Sequence, residues 1–251
     1  MCLNELTSLV NSIRKESYRS VVASILSDPK LSFTDAKPLI DFCQSPAAPR
    51  KHHFYSGGLV IHTLSVALIA LRIAEVFREV YGVSIDDDLV IATAILHDIF
   101  KYYQYAPDPV NGGYRARDDW YLSHDYAVVA ELAKRGAPDE LIRAVTEVHG
   151  LVPFTTLEGL VVHLADSTDA RFGEYLQNVL LSKIRDVEKE EGCTTYKVLD
   201  ELIKRRGIKE IARLLSQGAD KLAEEARNIC RELKASTTQV ASSTGSVGAS
   251  S

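Results

Sequence analysis

The chain has 251 residues, 46% hydrophobic and 25% charged, a balance that supports a substantial core without covalent staples. Its 29 Lys+Arg against 34 Asp+Glu leave a net charge of −5, which excludes the broad basic surface of a protein that tracks long nucleic acid. Cys2, Cys43, Cys193 and Cys230 form no CxxC pair and read as four reduced thiols, and the N-terminus has no signal-peptide pattern, so the expectation is a soluble, cytoplasmic protein.

Apolar residues at helical spacing predict helices over Asn4–Arg14, Glu16–Leu26 and Thr34–Cys43, with a break at Asp28-Pro29. The connector Ser45–Arg50 has two prolines, which prevent a helix. A long amphipathic helix follows from Gly58 to Tyr81; its most apolar stretch, Gly57–Leu71, contains His62 and is too short and polar to span a bilayer. Leu89–Tyr103 is the next helix, opened by Asp86, Asp87 and Asp88, whose charge suits a helix N-terminus. The aromatic, Gly- and Pro-containing stretch from Tyr102 to Leu122 reads as a loop or short hairpin turning at Asn111-Gly112-Gly113.

Helices resume over Ser123–Arg135, with Ser123 as N-cap, and over Pro138–Val148, with Pro138 in the first turn. Others are expected over Leu157–Phe172, Thr194–Arg206 and Ala219–Lys234. Strand signals are nearly absent, so the class is all-α. The organisation reads as an N-terminal helical extension (1–45), a central domain (46–190), C-terminal helices (191–235) and a disordered tail (236–251). The C-terminal helices either complete the bundle or make a homodimer.

The polar residues that interrupt apolar runs carry the chemistry. His62 sits in GGLVIHTLSVALIAL, His97-Asp98 ends LVIATAILHDIFK, and Asp166 lies in VVHLADSTDAR. His124 begins one helix and His149 ends another. Such groups are costly in a core unless they share a partner, and a cation suits neutral imidazole and ionised carboxylate together. The lack of cysteine among them points away from a structural thiolate site and toward catalysis. Lys101 lies four residues after His97, on the same face. Asp169 follows Asp166 by three and can share its face; His163 precedes Asp166 by one turn and is either a supporting partner or a core histidine. One of His52 and His53 is expected to face the site. Arg115, Arg117, Trp120 and the nearby tyrosines form a candidate lid that could bind phosphate and stack on a base.

The pattern H…HD…D resembles the HD superfamily of metal-dependent phosphohydrolases, over about His52 to Arg171. Within it, HHFYSGGLVIHTLSVA, AILHDIFK, SH, VHG and HLADSTDA are similar to the HD domain of YhaM-type 3′–5′ exoribonucleases. The resemblance implies an HD-domain helical bundle flanked by the two helical extensions. It implies His62, His97, Asp98 and Asp166 as ligands of one divalent ion, and His124 and His149 as holders of a second. Mn, Fe, Zn, Ni, Co and Mg are all compatible with such donors. Asp98 and Lys101 become the catalytic candidates. Lys101, His53, Arg115, Arg117 and Asp169 become the substrate-binding ones.

This chain departs from the superfamily in reading HDIFK, with Phe100 where Gly is common, and no GYP motif follows. The 45 N-terminal residues hold no separate nucleic-acid-binding domain. The expected activity is cleavage of a phosphate ester by metal-activated water. The expected substrate is a phosphorylated small molecule, a nucleotide or a short oligonucleotide, with no membrane partner. A 3′–5′ exoribonuclease and a non-enzymatic nucleotide-binding sensor with the same fold are the alternatives.

Overall fold

The computed structural model describes residues 2–48 and 51–244. It contains ten α-helices and one small hairpin: α1 (Asn4–Ser12), α2 (Glu16–Ser27), α3 (Gly58–Tyr81), α4 (Asp87–Leu96), β1 (Tyr105–Pro107), β2 (Tyr114–Ala116), α5 (His124–Lys134), α6 (Asp139–Glu147), α7 (Leu157–Glu191), α8 (Thr195–Arg206), α9 (Ile208–Gln217) and α10 (Ala219–Thr244). The chain divides into two compact units. Among the described residues, one comprises 2–48, 51–107 and 114–174, the other 108–113 and 175–244.

The first unit is built around α4. Every residue from Asp88 to Leu96 is buried, as an apolar run with no polar face requires. α1, α2, α3 and α6 pack against it. The small residues Ala67, Ala70 and Ala74 of α3 let Val161, Val162 and Ala165 of α7 and Val90 and Ala94 of α4 approach closely. The three aspartates before α4 divide their work. Asp86 caps the helix by accepting from the Asp88 backbone N–H at 2.9 Å. Asp87 pairs with Arg78 of α3 at 2.7 Å. Asp88 accepts the backbone N–H groups of Arg14 and Lys15 at 3.0 and 2.8 Å, which fastens the α1–α2 corner.

α3 has the predicted bounds. The whole of α3 is long and apolar enough, by length and composition alone, to cross a membrane. Here its first turns carry His62 into the core. The predicted helix Thr34–Cys43 is replaced by irregular chain ending in a 3-10 turn at Phe42–Gln44, since Pro38 inside it lacks the N–H a helix needs. α4 stops at Leu96 rather than running to Tyr103, and tight turns at His97–Phe100 and Lys101–Gln104 follow. The expected hairpin forms, with antiparallel pairing from Tyr105↔Ala116 to Pro107↔Tyr114. Ser123 stands at the N-cap of α5, but its hydroxyl bonds the Asp125 carboxylate at 2.5 Å instead of capping the helix.

α7 continues through Gly173 to Glu191, well past the expected end at Phe172. In the second unit the later part of α7 and α8–α10 bury Leu180, Ile184, Leu199, Leu202, Ile211 and Leu222. α9 was not foreseen. α10 reaches Thr244, through part of the segment expected to be disordered; the rest of that segment, 245–251, lies outside the described residues. All four cysteines are paired, Cys2 with Cys43 and Cys193 with Cys230. This corrects the reading of four reduced thiols. Spacing along the chain gives no view of the Cα–Cα separations of 6.1 and 5.8 Å that the fold creates.

Candidate metal centre

Five helices of the first unit deliver polar side chains to one point. α3 supplies His62, the turn after α4 supplies His97 and Asp98, and α5 supplies His124 at its first residue. His149 follows the end of α6, and Asp166 comes from α7. His62, His97 and Asp98 are almost completely buried, while His124, His149, Asp166 and Lys101 keep 12–20% of their side-chain surface open. The centre therefore has a closed floor and a mouth.

Asp98 lies in the middle, with its two oxygens facing opposite groups. Oδ2 is 3.3 Å from His62 Nε2 and 3.4 Å from His97 Nε2. Oδ1 is 3.2 Å from His124 Nε2 and 3.4 Å from His149 Nε2. Asp166 Oδ1 joins the first group, 3.1 Å from His62 Nε2 and 3.9 Å from His97 Nε2. Its Oδ2 lies 3.8 Å from His149 Nε2. Lys101 Nζ donates to Asp98 Oδ2 at 2.6 Å.

The imidazoles are held from behind. His62 Nδ1 meets Asp169 Oδ2 at 2.6 Å, and His97 Nδ1 meets the Ala94 carbonyl at 2.7 Å. His149 Nδ1 meets the Asp125 carboxylate, and His124 Nδ1 faces the Gln104 side-chain amide at 3.3 Å. With protons on Nδ1, the Asp169, Ala94 and Asp125 acceptors aim the Nε2 lone pairs of His62, His97 and His149 inward. These three Nε2 atoms, His124 Nε2 and Asp98 Oδ1 are buried and make no hydrogen bond of proper geometry. Orphaned acceptors converging on one point are costly in a protein interior, and a divalent cation is the group that satisfies them. The chemistry of the donors fits one.

The charges agree. Burial works against ionisation of Asp98, yet Lys101 and the surrounding imidazoles hold its carboxyl well below the usual range. Asp166 is held low as well: burial opposes it and His62 favours it. Burial pushes His97 down to about 4, so its imidazole stays neutral and available as a donor.

The remaining candidates fall in different places. Asp169 is buried behind His62 rather than at the mouth. His52 and His53 are both buried; their Nδ1 atoms lie 3.1 Å apart and their rings 4.9 and 5.5 Å from that of His62. His53 takes a left-handed φ of 48°, and two glycines make its space. A Cβ on Gly58 would lie 2.1 Å from the His53 carbonyl oxygen, and one on Gly173 would lie 2.3 Å from its ring. His163 bonds the Val148 carbonyl at 2.6 Å and packs on Phe154. Arg115 is paired with Asp118, and Arg117 with Asp119 and the Lys37 and Tyr103 carbonyls. Their charge is paired within and around the hairpin. Asp125 and Gln104 were not foreseen; the only hint was Asp125 directly following His124.

A helical bundle converging on this histidine–aspartate centre defines a metal-dependent phosphohydrolase, and the comparisons agree. Residues 59–171 match the HD domain family. The chain is 36% identical over 189 residues to the dihydroneopterin 2′,3′-cyclic phosphate phosphodiesterase of Methanocaldococcus jannaschii, covering 74% of this chain and 76% of that protein. It is 29% identical over 177 residues to the 3′–5′ exoribonuclease YhaM of Bacillus subtilis and of Bacillus velezensis, with 59% of this chain aligned and about half of theirs (54%). No solved structure matches significantly. The chain belongs to the HD domain family.

Proposed function

We propose that this enzyme opens a small cyclic phosphodiester, a 2′,3′-cyclic phosphate, to a phosphomonoester, at a centre whose histidines and aspartates would hold two divalent ions. The observation that carries this is the division of the Asp98 oxygens between His62 with His97 on one side and His124 with His149 on the other. His62, His97, Asp98 and Asp166 would hold the first ion, and Asp98, His124 and His149 the second. Four imidazoles among six ligands favour Mn, Fe, Co, Ni or Zn over Mg. Bound there, such ions lower the pKa of water and neutralise phosphate charge.

The residues at the mouth set the approach. The phosphate enters past His124, His149 and Lys101, since the sides formed by His62 and His97 are closed. Lys101, held by Asp98, offsets charge on the phosphoryl oxygens. Water adds to phosphorus, one ring P–O bond breaks, and the proton lost by the water ends on the departing oxygen. Asp169, Ala94 and Asp125 keep His62, His97 and His149 from rotating as charge moves.

The greater coverage of the cyclic phosphodiesterase relative supports this reading over an exoribonuclease. So do the acidic total and the commitment of Arg115 and Arg117 to aspartates. The test is to assay the metal-loaded enzyme on dihydroneopterin 2′,3′-cyclic phosphate, a nucleoside 2′,3′-cyclic phosphate and single-stranded RNA. Ring opening of a cyclic substrate without shortening of RNA is expected; RNA shortening without ring opening would overturn the proposal.

A further inference from the structure

Beside the centre lies an open pocket of about 380 Å³, lined by Gln104, Tyr105, Arg117, Trp120, Tyr121 and Ser123 among others. It is separated from Asp98 by one imidazole. His124 presents Nε2 to Asp98 Oδ1 at 3.2 Å and Nδ1 to the pocket residue Gln104 at 3.3 Å. A larger pocket of about 710 Å³ on α3, between Leu68 and Phe77, includes no residue of the centre and is lined almost wholly by aliphatic groups and one phenyl ring.

The lining of the smaller pocket continues an aromatic ladder out of the core. Ring centroids step from Tyr102 to Tyr103 at 4.8 Å, to Trp120 at 5.2 Å and to Tyr121 at 5.8 Å. The inner rings are buried, whereas Tyr121 is 81% exposed. The Arg117 guanidinium, itself paired with Asp119, lies 5.6 Å from the Trp120 ring. A large ring exposed at the outer end of this series, one side chain from the centre, offers a face to a stacking partner.

We propose that this pocket holds the single planar heterocycle of the substrate, stacked against Tyr121 and Trp120, while the phosphate reaches the centre past His124. The proposal rests on the reading of that centre as hydrolytic and names its substrate class: a phosphodiester carrying one nucleobase-sized ring on a short linker. A pocket of this size accepts one ring system, whereas single-stranded nucleic acid is gripped by successive stacking platforms along a basic groove.

Trp120 is the sole tryptophan, so its fluorescence reports on this pocket without any turnover. In the metal-loaded protein, titration with guanosine, which carries no phosphate, should quench Trp120. Tyr121→Ala should weaken that binding about tenfold, and Tyr121→Phe should restore it, as expected when stacking is the interaction lost. In parallel, the preference for guanosine 2′,3′-cyclic phosphate over glycerol 1,2-cyclic phosphate, as a ratio of kcat/KM, should fall about tenfold in Tyr121→Ala. No quenching by guanosine, or an affinity and a preference both unmoved by Tyr121→Ala, overturns the proposal. Saturable quenching that responds to Tyr121→Ala, with no hydrolysis of either cyclic phosphate, would sustain the pocket and overturn the hydrolytic reading instead.

Discussion

Asp98 was legible in the sequence because it is the one carboxylate inside an otherwise apolar run next to a histidine. His62, His97 and Asp166 followed from the same anomaly, polar groups where the helical pattern demands a core, whereas His124 and His149 stand at helix ends and took their role from the family resemblance. What lies behind them was hidden. Asp169 shares a face with Asp166, yet only the packing of α7 against α3 shows that it meets His62 Nδ1 at 2.6 Å and not the mouth. Replacing it should loosen the centre without removing a ligand. Asp169→Asn is expected to weaken metal affinity by roughly 10–100-fold, measured by competition with a chromophoric chelator; an unchanged affinity would contradict its orienting role. Arg115 and Arg117 pair with Asp118 and Asp119, three and two positions further on, partners that the sequence reading did not weigh. The space around His53 yields a second expectation. Gly173→Ala drives a methyl into the buried His53 ring and should cost about 1–3 kcal/mol of stability, read by urea denaturation.

The helices were predicted best where their pattern met clear stops. α3 ends at Gly82, which takes the left-handed conformation at its C-cap, and its bounds were read correctly. α7 instead runs on through Gly173, past the expected end at Phe172: inside a helix glycine costs only about 1 kcal/mol relative to alanine, and here it clears room for His53. The helix expected over Thr34–Cys43 failed on Pro38, and α9 was overlooked between Gly207 and Gly218.

The end of α6 offers a test of pH dependence. Glu147 is buried and accepts from the backbone N–H and hydroxyl groups of both Thr155 and Thr156, pinning the loop that leads into α7. Burial disfavours its charge, but these bonds outweigh burial and hold its carboxyl below the ordinary 4.5. A depressed folded-state value means the stabilisation is present above pH 4.5 and is lost as pH falls through the folded value. Glu147→Gln should therefore be destabilised by about 1–3 kcal/mol at neutral pH, and its deficit against wild type should shrink on acidification below 4.5. A deficit independent of pH would contradict the assignment.

For the molecule as a whole, the all-α class was plain from the near absence of strand patterns, and the match over residues 59–171 places the family where the motifs lie. The disulfides were not legible, because pairing depends on which distant segments the fold brings together. Cys193 and Cys230 close a separation of 37 residues, and Cys193→Ser should cost about 2–4 kcal/mol in guanidinium denaturation. Chelation should lower the melting temperature, since ions that bind only the folded protein stabilise it by mass action, and readdition of metal should restore it.

The most direct test is metal stoichiometry by elemental analysis of the purified holoenzyme beside its Asp98→Ala variant, with cyclic phosphate hydrolysis followed on the same samples. With Asp98 among the residues that would hold both ions, about two ions per chain are expected in the wild type, and at most one, with hydrolysis lost, in the variant. Two ions retained by an active Asp98→Ala protein would contradict the account.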